Sequence, residues 1–233
     1  MDLEILDLMQ RIPEPELMDE VGQVLAYAQA DFAASDAAMV ERLAQLCGED
    51  PGTTLVDLGC GPGNISLLLV DRWPAAKVLG LDGAPRMLAV ALERLAGASP
   101  DLAARLRFEQ ALLPLAAAGE LEAHFSAVVS NSLLHHLHDP AALWQTVIQL
   151  GAPGAFVYVQ DLRRPDNGEA VEGLVAAEMA SAPEVLRRDY RASLHAAFTV
   201  VEVEQQLEQA GLAAQLQVAP RQERYLEVWG RLN

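Results

Sequence analysis

The segment Val56-Asp57-Leu58-Gly59-Cys60-Gly61-Pro62-Gly63-Asn64 sets an acid and alternating glycines at the end of an apolar run. Glycines there let the backbone turn tightly and let a ligand lie against bare main chain. The spacing is G-x-G-x-G. A dinucleotide fingerprint needs G-x-G-x-x-G, and the position it requires holds Asn64. No Gly-Lys-Ser/Thr follows, so the turn is not a P-loop. Asp57, before the first glycine, suits a cationic ligand and would sit badly beside a pyrophosphate. Asp82 ends the next apolar run, 19 residues beyond Gly63. That is where doubly wound nucleoside sites place the carboxylate that holds ribose hydroxyls. The ligand these acids call for carries a ribose and a positive or zwitterionic group, and no phosphate.

A second set of residues could act on a substrate. His135 and His136 stand side by side, with His124 and His138 nearby. An imidazole near neutral pKa can take a proton from a hydroxyl or amine, and His135 is the one expected to do so. The alternative is a short turn whose imidazoles are satisfied by backbone. No Cys, Asp or Glu cluster at metal spacing accompanies the pair, so no metal is expected. Arg187, Arg188, Tyr190, Arg191, Ser193 and His195 form a basic cluster in an acidic chain. Arg forks there suit a carboxylate or phosphate on a substrate, or else a solvated helix face with Glu partners. Arg163 and Arg164 follow Asp161 at the end of a predicted strand, the side on which open α/β sheets bind ligands, or they make a charged loop.

The elements that must position these residues alternate. Thr54–Leu58 reads as a strand, Ile65–Trp73 as a helix, Lys77–Leu81 as a strand ending at Asp82, and Pro85–Leu95 as a helix with Pro in its first turn. Strands follow over Leu106–Glu109, Ala127–Ser130 and Ala155–Asp161. Between the last two lie a helix, Pro140–Leu150 with Asp139 as N-cap, and a loop over Gly151–Gly154. Buried parallel strands should be continuously apolar, and LVDL and AVVS are. The fold is α/β: a doubly wound, Rossmann-like sheet, mostly parallel, with helices on both faces. Residues 168–211 read as helical with a break at Pro183. Ala214–Val218 and Arg224–Trp229, separated by Pro220, have no helix between them and form a C-terminal antiparallel hairpin. Residues 1–50 read as helices broken at Pro13 and Pro15, with Tyr27, Asp31 and Phe32 on one face. The chain is expected to be one domain: 1–50 an N-terminal cover, 54–161 the cofactor-binding core, 162–211 a helical insertion and 212–233 the hairpin.

S-adenosylmethionine has a ribose and a sulfonium and no phosphate. VDLGCGPGN followed by GLDGAPRML resembles the first two motifs of class I S-adenosylmethionine-dependent methyltransferases. FEQALLPL resembles the third motif, VVSNSLLHHLHDP the fourth, and LGAPGAFVYVQD the loop and fifth strand, so the resemblance covers about 54–161. It implies a seven-stranded sheet and direct methyl transfer to a small molecule, leaving S-adenosylhomocysteine. It assigns the methionine moiety to Asp57 and to Gly59, Cys60, Gly61, Gly63 and Asn64. It assigns the ribose hydroxyls to Asp82, and the adenine to Gly83, Met87, Gln110 and Ala111. Ser130 and Asn131 would sit near the methionine or the substrate. Tyr27 and Phe32 would belong to a cover over the cofactor. His136, Asp161, Arg163, Arg187, Arg188 and Tyr190 would face the substrate, the last three from a lid. Gln110 stands where the family usually has an acid, and a single Gly154 where two glycines are common. Class I methyltransferases share no universal catalytic residue, so a non-catalytic S-adenosylmethionine-binding subunit stays open. A nicotinamide oxidoreductase is the other rival, and Asn64 and Asp57 argue against it.

Composition narrows the partners. The 233 residues carry 16 Lys and Arg against 33 Asp and Glu, a net charge of −17. Such a surface repels nucleic-acid phosphates and anionic membranes, so neither is an expected partner. Cys47 and Cys60 suggest no disulfide framework, and a reduced cytoplasmic setting fits them. The acidic N-terminus MDLEILDLMQRIPEPEL has no long apolar core, and no signal peptide or membrane span is expected. Monomer and homodimer both remain open.

Overall fold

A computed structural model describes residues 9–233. The helix expected over 1–50 therefore lies partly outside the described residues. Within them, residues 9–20 are neither helix nor strand. Pro13 and Pro15 lack a backbone donor and hold their predecessors extended. The segment runs as a strap across the molecule: Met9 N donates to Asp166 O (3.3 Å) and Ile12 N to His195 O (3.0 Å). Helices begin at α1 (Val21–Gln29) and α2 (Ala33–Cys47).

The alternating region follows as β1 (Thr54–Leu58), α3 (Asn64–Arg72), β2 (Lys77–Asp82) and α4 (Pro85–Ala96). A short α5 (Pro100–Ala103) was not foreseen; the Ser99 hydroxyl caps it by accepting from Leu102 N. Then come β3 (Leu106–Gln110), β4 (Phe125–Asn131), α6 (Ala141–Leu150) and β5 (Gly151–Leu162). Helices α7 (Gly168–Glu178), α8 (Glu184–Ala196) and α9 (Val200–Gln209) lead to β6 (Leu216–Arg221) and β7 (Tyr225–Arg231). The seven strands order as β3-β2-β1-β4-β5-β7-β6. The first five are parallel, and β7 runs antiparallel between β5 and β6.

Two boundaries differ from expectation. Gly151–Gly154 is not a loop: Gly151 pairs with Phe125 ahead of a bulge, which extends β5 backward. Pro220 does not separate the hairpin strands but sits inside β6, opposite Leu226. An edge strand tolerates a residue without an N–H.

The sheet is covered on both faces, which explains its apolar strands. Val56, Leu58, Val128, Val157 and Val159 pack against Leu143, Trp144 and Val147 of α6. Leu55, Val78, Val129 and Tyr158 pack on the other face against Met39 and Leu43 of α2 and Leu69 of α3. Glu227 is one of the carboxylates buried on that face. Glu227 of β7, 4% exposed, accepts from Arg42 at 2.6 and 3.1 Å, from Arg221 at 3.3 Å and from the Tyr158 hydroxyl at 3.2 Å. Cys47 and Cys60 are both buried and free. No helix among the described residues is long and apolar enough to cross a membrane.

Candidate active site

A cavity of 750 Å³ opens at the carboxyl ends of β1, β2, β4 and β5. One half is built by the glycine turn. Gly59, Gly61 and Gly63 have φ of +70°, +53° and +83°, a region that favours glycine. A Cβ on Gly63 would lie 2.8 Å from the Phe108 ring, and one on Gly59 2.8 Å from the Leu133 side chain. A Cβ on Gly61 would meet nothing within 4 Å, so its bare backbone faces the cavity. The two jobs foreseen for these glycines thus fall to different members: Gly59 and Gly63 allow close packing, and Gly61 leaves room for a ligand.

Asp57, 1% exposed, accepts from the Ser66 hydroxyl at 2.6 Å. Burial, with Asp82 and Asp36 nearby, pushes its carboxyl up to about 7. No cationic side chain pairs with it among the described residues, so the wall of the cavity holds an uncompensated acid. Asp82 also lines the cavity. Its Oδ2 accepts from Gly61 N at 2.8 Å and its Oδ1 from Ala84 N at 2.7 Å. It fastens the glycine turn to β2, and each oxygen keeps a lone pair for a hydroxyl. Burial raises its carboxyl, and those amides oppose the shift. Gly83, Met87 and Ala111 line the same half, and Tyr27 and Phe32 cover it with ring centroids 4.8 Å apart. Cys60 lines it as well, its thiol pushed up by burial.

Several expected cofactor residues stand back from the cavity. Asn64 is turned away: its amide donates to Asp36 at 2.8 Å and its carbonyl accepts from Arg94. The same guanidinium donates to Pro62 O and Ala28 O, tying the glycine turn to the end of α1. Ser130, fully buried, donates to Leu58 O at 2.9 Å. Gln110 is exposed and donates to Gly83 O at 3.1 Å, so it braces the turn after β2. Asn131 does line the cavity, and Gln160 donates to it at 3.1 Å.

The other half is formed by the histidine turn, the strap and the α7–α8 region. His135 and His136 line it with Leu17, Met18, Leu137, Met179, Leu186 and Tyr190. Backbone does not satisfy the His135 ring, as one reading had it. Its Nδ1 lies 2.5 Å from Asp161 Oδ1, and Asp161 Oδ2 accepts from Leu134 N at 2.6 Å. Asp161 is thus placed behind His135 and stands off the cavity. Its charge, with that of Glu14, raises the His135 pKa against the effect of burial. His136 is shifted the opposite way, well down, by burial and by His135. Sequence spacing gave no sign of Glu14. The strap carries it to 3.5 Å from His135 Nε2 and 3.3 Å from His136 Nδ1, where it also accepts from the Ser193 hydroxyl at 2.9 Å. Arg11 holds the strap down, donating to the carbonyls of His135, Leu137 and Ala196.

The expected arginines do not reach the cavity. Arg188 is exposed and pairs with Asp189, Arg191 pairs with Glu172, and Arg187 stands 3.9 Å from Glu184. They are the paired helix face that was the alternative. Arg163 donates to Glu223 O, and Arg164 is buried between Ala197 O and Glu202. Arg224 lines the cavity and is paired with Glu178.

A parallel sheet ending in an antiparallel hairpin, with a glycine turn and ribose-type acid over β1 and β2, defines the class I methyltransferase architecture. Residues 56–157 match a family model described as a methyltransferase domain. A trans-aconitate 2-methyltransferase of Methylobacterium nodulans is 37% identical over 134 residues, 58% of this chain and 46% of that one. One of Rhizobium meliloti is 34% identical over 157 residues, 65% of this chain and 56% of that one. The chain spans about half the length of the curated relatives it matches. A solved S-adenosylmethionine-dependent methyltransferase of Aquifex aeolicus aligns over 91% of this chain and 98% of its own, at a TM-score of 0.62 and 16% identity. A putative one of Methanococcus maripaludis aligns over 95% and 98%, at a TM-score of 0.67 and 15% identity. Residues 56–157 thus resemble a methyltransferase domain, and the chain shares the fold of these solved methyltransferases.

Proposed function

We propose that the protein transfers a methyl group from S-adenosylmethionine to a small molecule in the cytoplasm. The observation that carries the reading is one cavity joining two unlike halves: Asp57, Gly61 and Asp82 on one side, His135, His136 and Tyr190 on the other. Its 750 Å³ falls within the range of small-molecule sites. The residues present fit the cofactor. Gly61 leaves its backbone bare, Asp57 is a buried acid awaiting a cation, and Asp82 offers oxygens to ribose hydroxyls. Bound S-adenosylmethionine supplies an already activated sulfonium methyl. The chain's own part is to orient the acceptor and exclude water, so positioning supplies much of the rate. His135, fixed by Asp161, is the side chain placed to accept a proton from an acceptor hydroxyl or amine.

The relatives' names point to trans-aconitate, a tricarboxylic acid. The cations such a ligand would need are engaged here: Arg224 with Glu178, Arg188 with Asp189, Arg191 with Glu172. The acceptor half is otherwise lined by Leu17, Met18, Met179 and Leu186, with Glu16 and Asp189. A less anionic, partly apolar acceptor suits this wall better.

Titration calorimetry with S-adenosylmethionine, S-adenosylhomocysteine and NAD tests the reading. Micromolar binding of the first two and none of NAD is expected. NAD binding alone would overturn it. Binding of S-adenosylmethionine without turnover on any acceptor would favour the non-catalytic subunit. Asp82→Ala should weaken S-adenosylmethionine binding by about 1–3 kcal/mol. It should also lower the melting temperature, because the amides of Gly61 and Ala84 lose their acceptor.

A further inference from the structure

We propose that Glu14, His135 and His136 form a binding site for one divalent transition-metal ion, open toward the acceptor half of the cavity. Their ligand atoms, Glu14 Oε, His135 Nε2 and His136 Nδ1, all lie within 4.8 Å of one another. The separations of 3.3 and 3.5 Å match the edge of about 3.4 Å that a tetrahedron with bonds near 2.1 Å requires.

The chemistry of the donors points the same way. His135 spends Nδ1 on Asp161, which leaves Nε2 facing Glu14. A carboxylate behind an imidazole, itself held by a backbone amide, is the usual support for a metal-ligating histidine. The Pro15 backbone lies against the His136 ring, and a ring proton on Nε2 would leave Nδ1 as the acceptor. His136 Nδ1 is fully buried and has no hydrogen-bond partner among the described residues. A carboxylate oxygen and two imidazole nitrogens thus converge as acceptors. A proton shared by Glu14 and His135 would satisfy one pair and leave His136 Nδ1 bare. One metal ion satisfies all three.

The Ser193 hydroxyl donates to Glu14 Oε1, the same oxygen that faces both imidazoles, and Arg11 anchors the strap that brings it in. Two carboxyl groups, Glu14 and Asp161, stand beside the histidines, with the Arg11 guanidinium on the carbonyls of His135 and Leu137. Two imidazoles and one carboxylate suit zinc, cobalt, nickel or ferrous iron, and nitrogen donors disfavour magnesium and calcium. Both histidines line the cavity and Glu14 does not, so a remaining coordination position would be reached from the histidine side. That position fits an acceptor oxygen, a role that rests on the methyl-transfer reading; the site itself does not. Nε2 of His135 cannot be a ligand and a base at once. With an ion bound, it would lower the pKa of a coordinated acceptor hydroxyl, whose proton would leave to solvent water in place of the imidazole.

The test uses tag-free, chelator-stripped full-length protein titrated with Co²⁺ and read by visible absorption, then with Zn²⁺ in competition. Calorimetry with S-adenosylmethionine runs on the same samples. The expected result is one equivalent of Co²⁺ with a tetrahedral-type spectrum, displaced by one equivalent of Zn²⁺. Glu14→Gln and His136→Ala should each weaken binding at least tenfold, and Asp161→Asn about 10–100-fold. Glu14 lies on the strap outside the sheet, so Glu14→Gln tests the site even if the His136 variant fails to fold. A folded protein that takes up no stoichiometric Co²⁺, or takes it up equally well with Glu14→Gln, overturns the proposal. Metal binding without S-adenosylmethionine binding would sink the methyltransferase reading and leave this one standing.

Discussion

Two buried carboxylates show opposite uses of the same chemistry. Glu227 is met by Arg42, Arg221 and the Tyr158 hydroxyl, and these partners hold its carboxyl below the usual range against the effect of burial. Glu14, with its side chain 10% exposed, faces two imidazole nitrogens, and burial pushes its carboxyl up. The first cluster closes its hydrogen bonds and joins α2 to the hairpin. The second leaves a nitrogen bare beside a cavity. A satisfied cluster is a fastening, and an unsatisfied one at a cavity wall is a place where something binds.

Breaking the satisfied cluster should cost most. Glu227→Ala strands two guanidiniums, and urea unfolding should show a loss of about 3 kcal/mol. S-adenosylmethionine affinity of the folded protein should not change. The next effect separates two glycines of one turn. Gly63→Ala adds a Cβ 2.8 Å from the Phe108 ring at φ +83°, and stability should fall by about 2 kcal/mol. Gly61→Ala meets open space, so its cost should be about 1 kcal/mol of backbone strain with the main loss in cofactor binding.

A pH series sharpens the contrast further. The Asp57 carboxyl sits near 7, so the folded protein holds this proton at pH values where the unfolded chain has lost it. The apoprotein should therefore lose stability from Asp57 as pH rises from about 4 to about 7. A bound cation favours the charged form. Calorimetry should then show S-adenosylmethionine binding about tenfold tighter near pH 8 than near pH 6, with Asp57→Asn flattening the slope. The smallest change should come from Glu14→Gln. The amide keeps the Ser193 hydrogen bond, and melting should shift by no more than about 0.5 kcal/mol in metal-free protein.

The half assigned to the cofactor could be assembled from the sequence because it is local. Asp57, the three glycines and the strand before them form one short segment, and Asp82 follows one helix later. The same locality misled at Asn64: the sequence shows the position after the third glycine but not that Asp36 and Arg94 claim its side chain. The acceptor half is assembled from afar. Ser193 and Glu14 are 179 positions apart, and no spacing rule joins a proline-rich strap to a histidine turn. The arginines of α8 read as ligand-binding because the sequence shows their charge, and only the fold shows Glu172, Glu184 and Asp189 beside them. Pro220 was taken for a break because the sequence does not say which strand will be at the edge.

Arg94 has one more consequence. Its guanidinium grips the end of α1, the glycine turn and the first residue of α3 together. The end of α1 beside the Asp82 half of the cavity is thereby stapled to the glycine turn, and moving it away would break three bonds. Among the described residues, no such cross-brace ties Leu17 and Met18 of the strap to residues 179–183, which also line the cavity. One wall of the cavity is thus cross-braced by a single arginine, and another presents mainly apolar and small side chains.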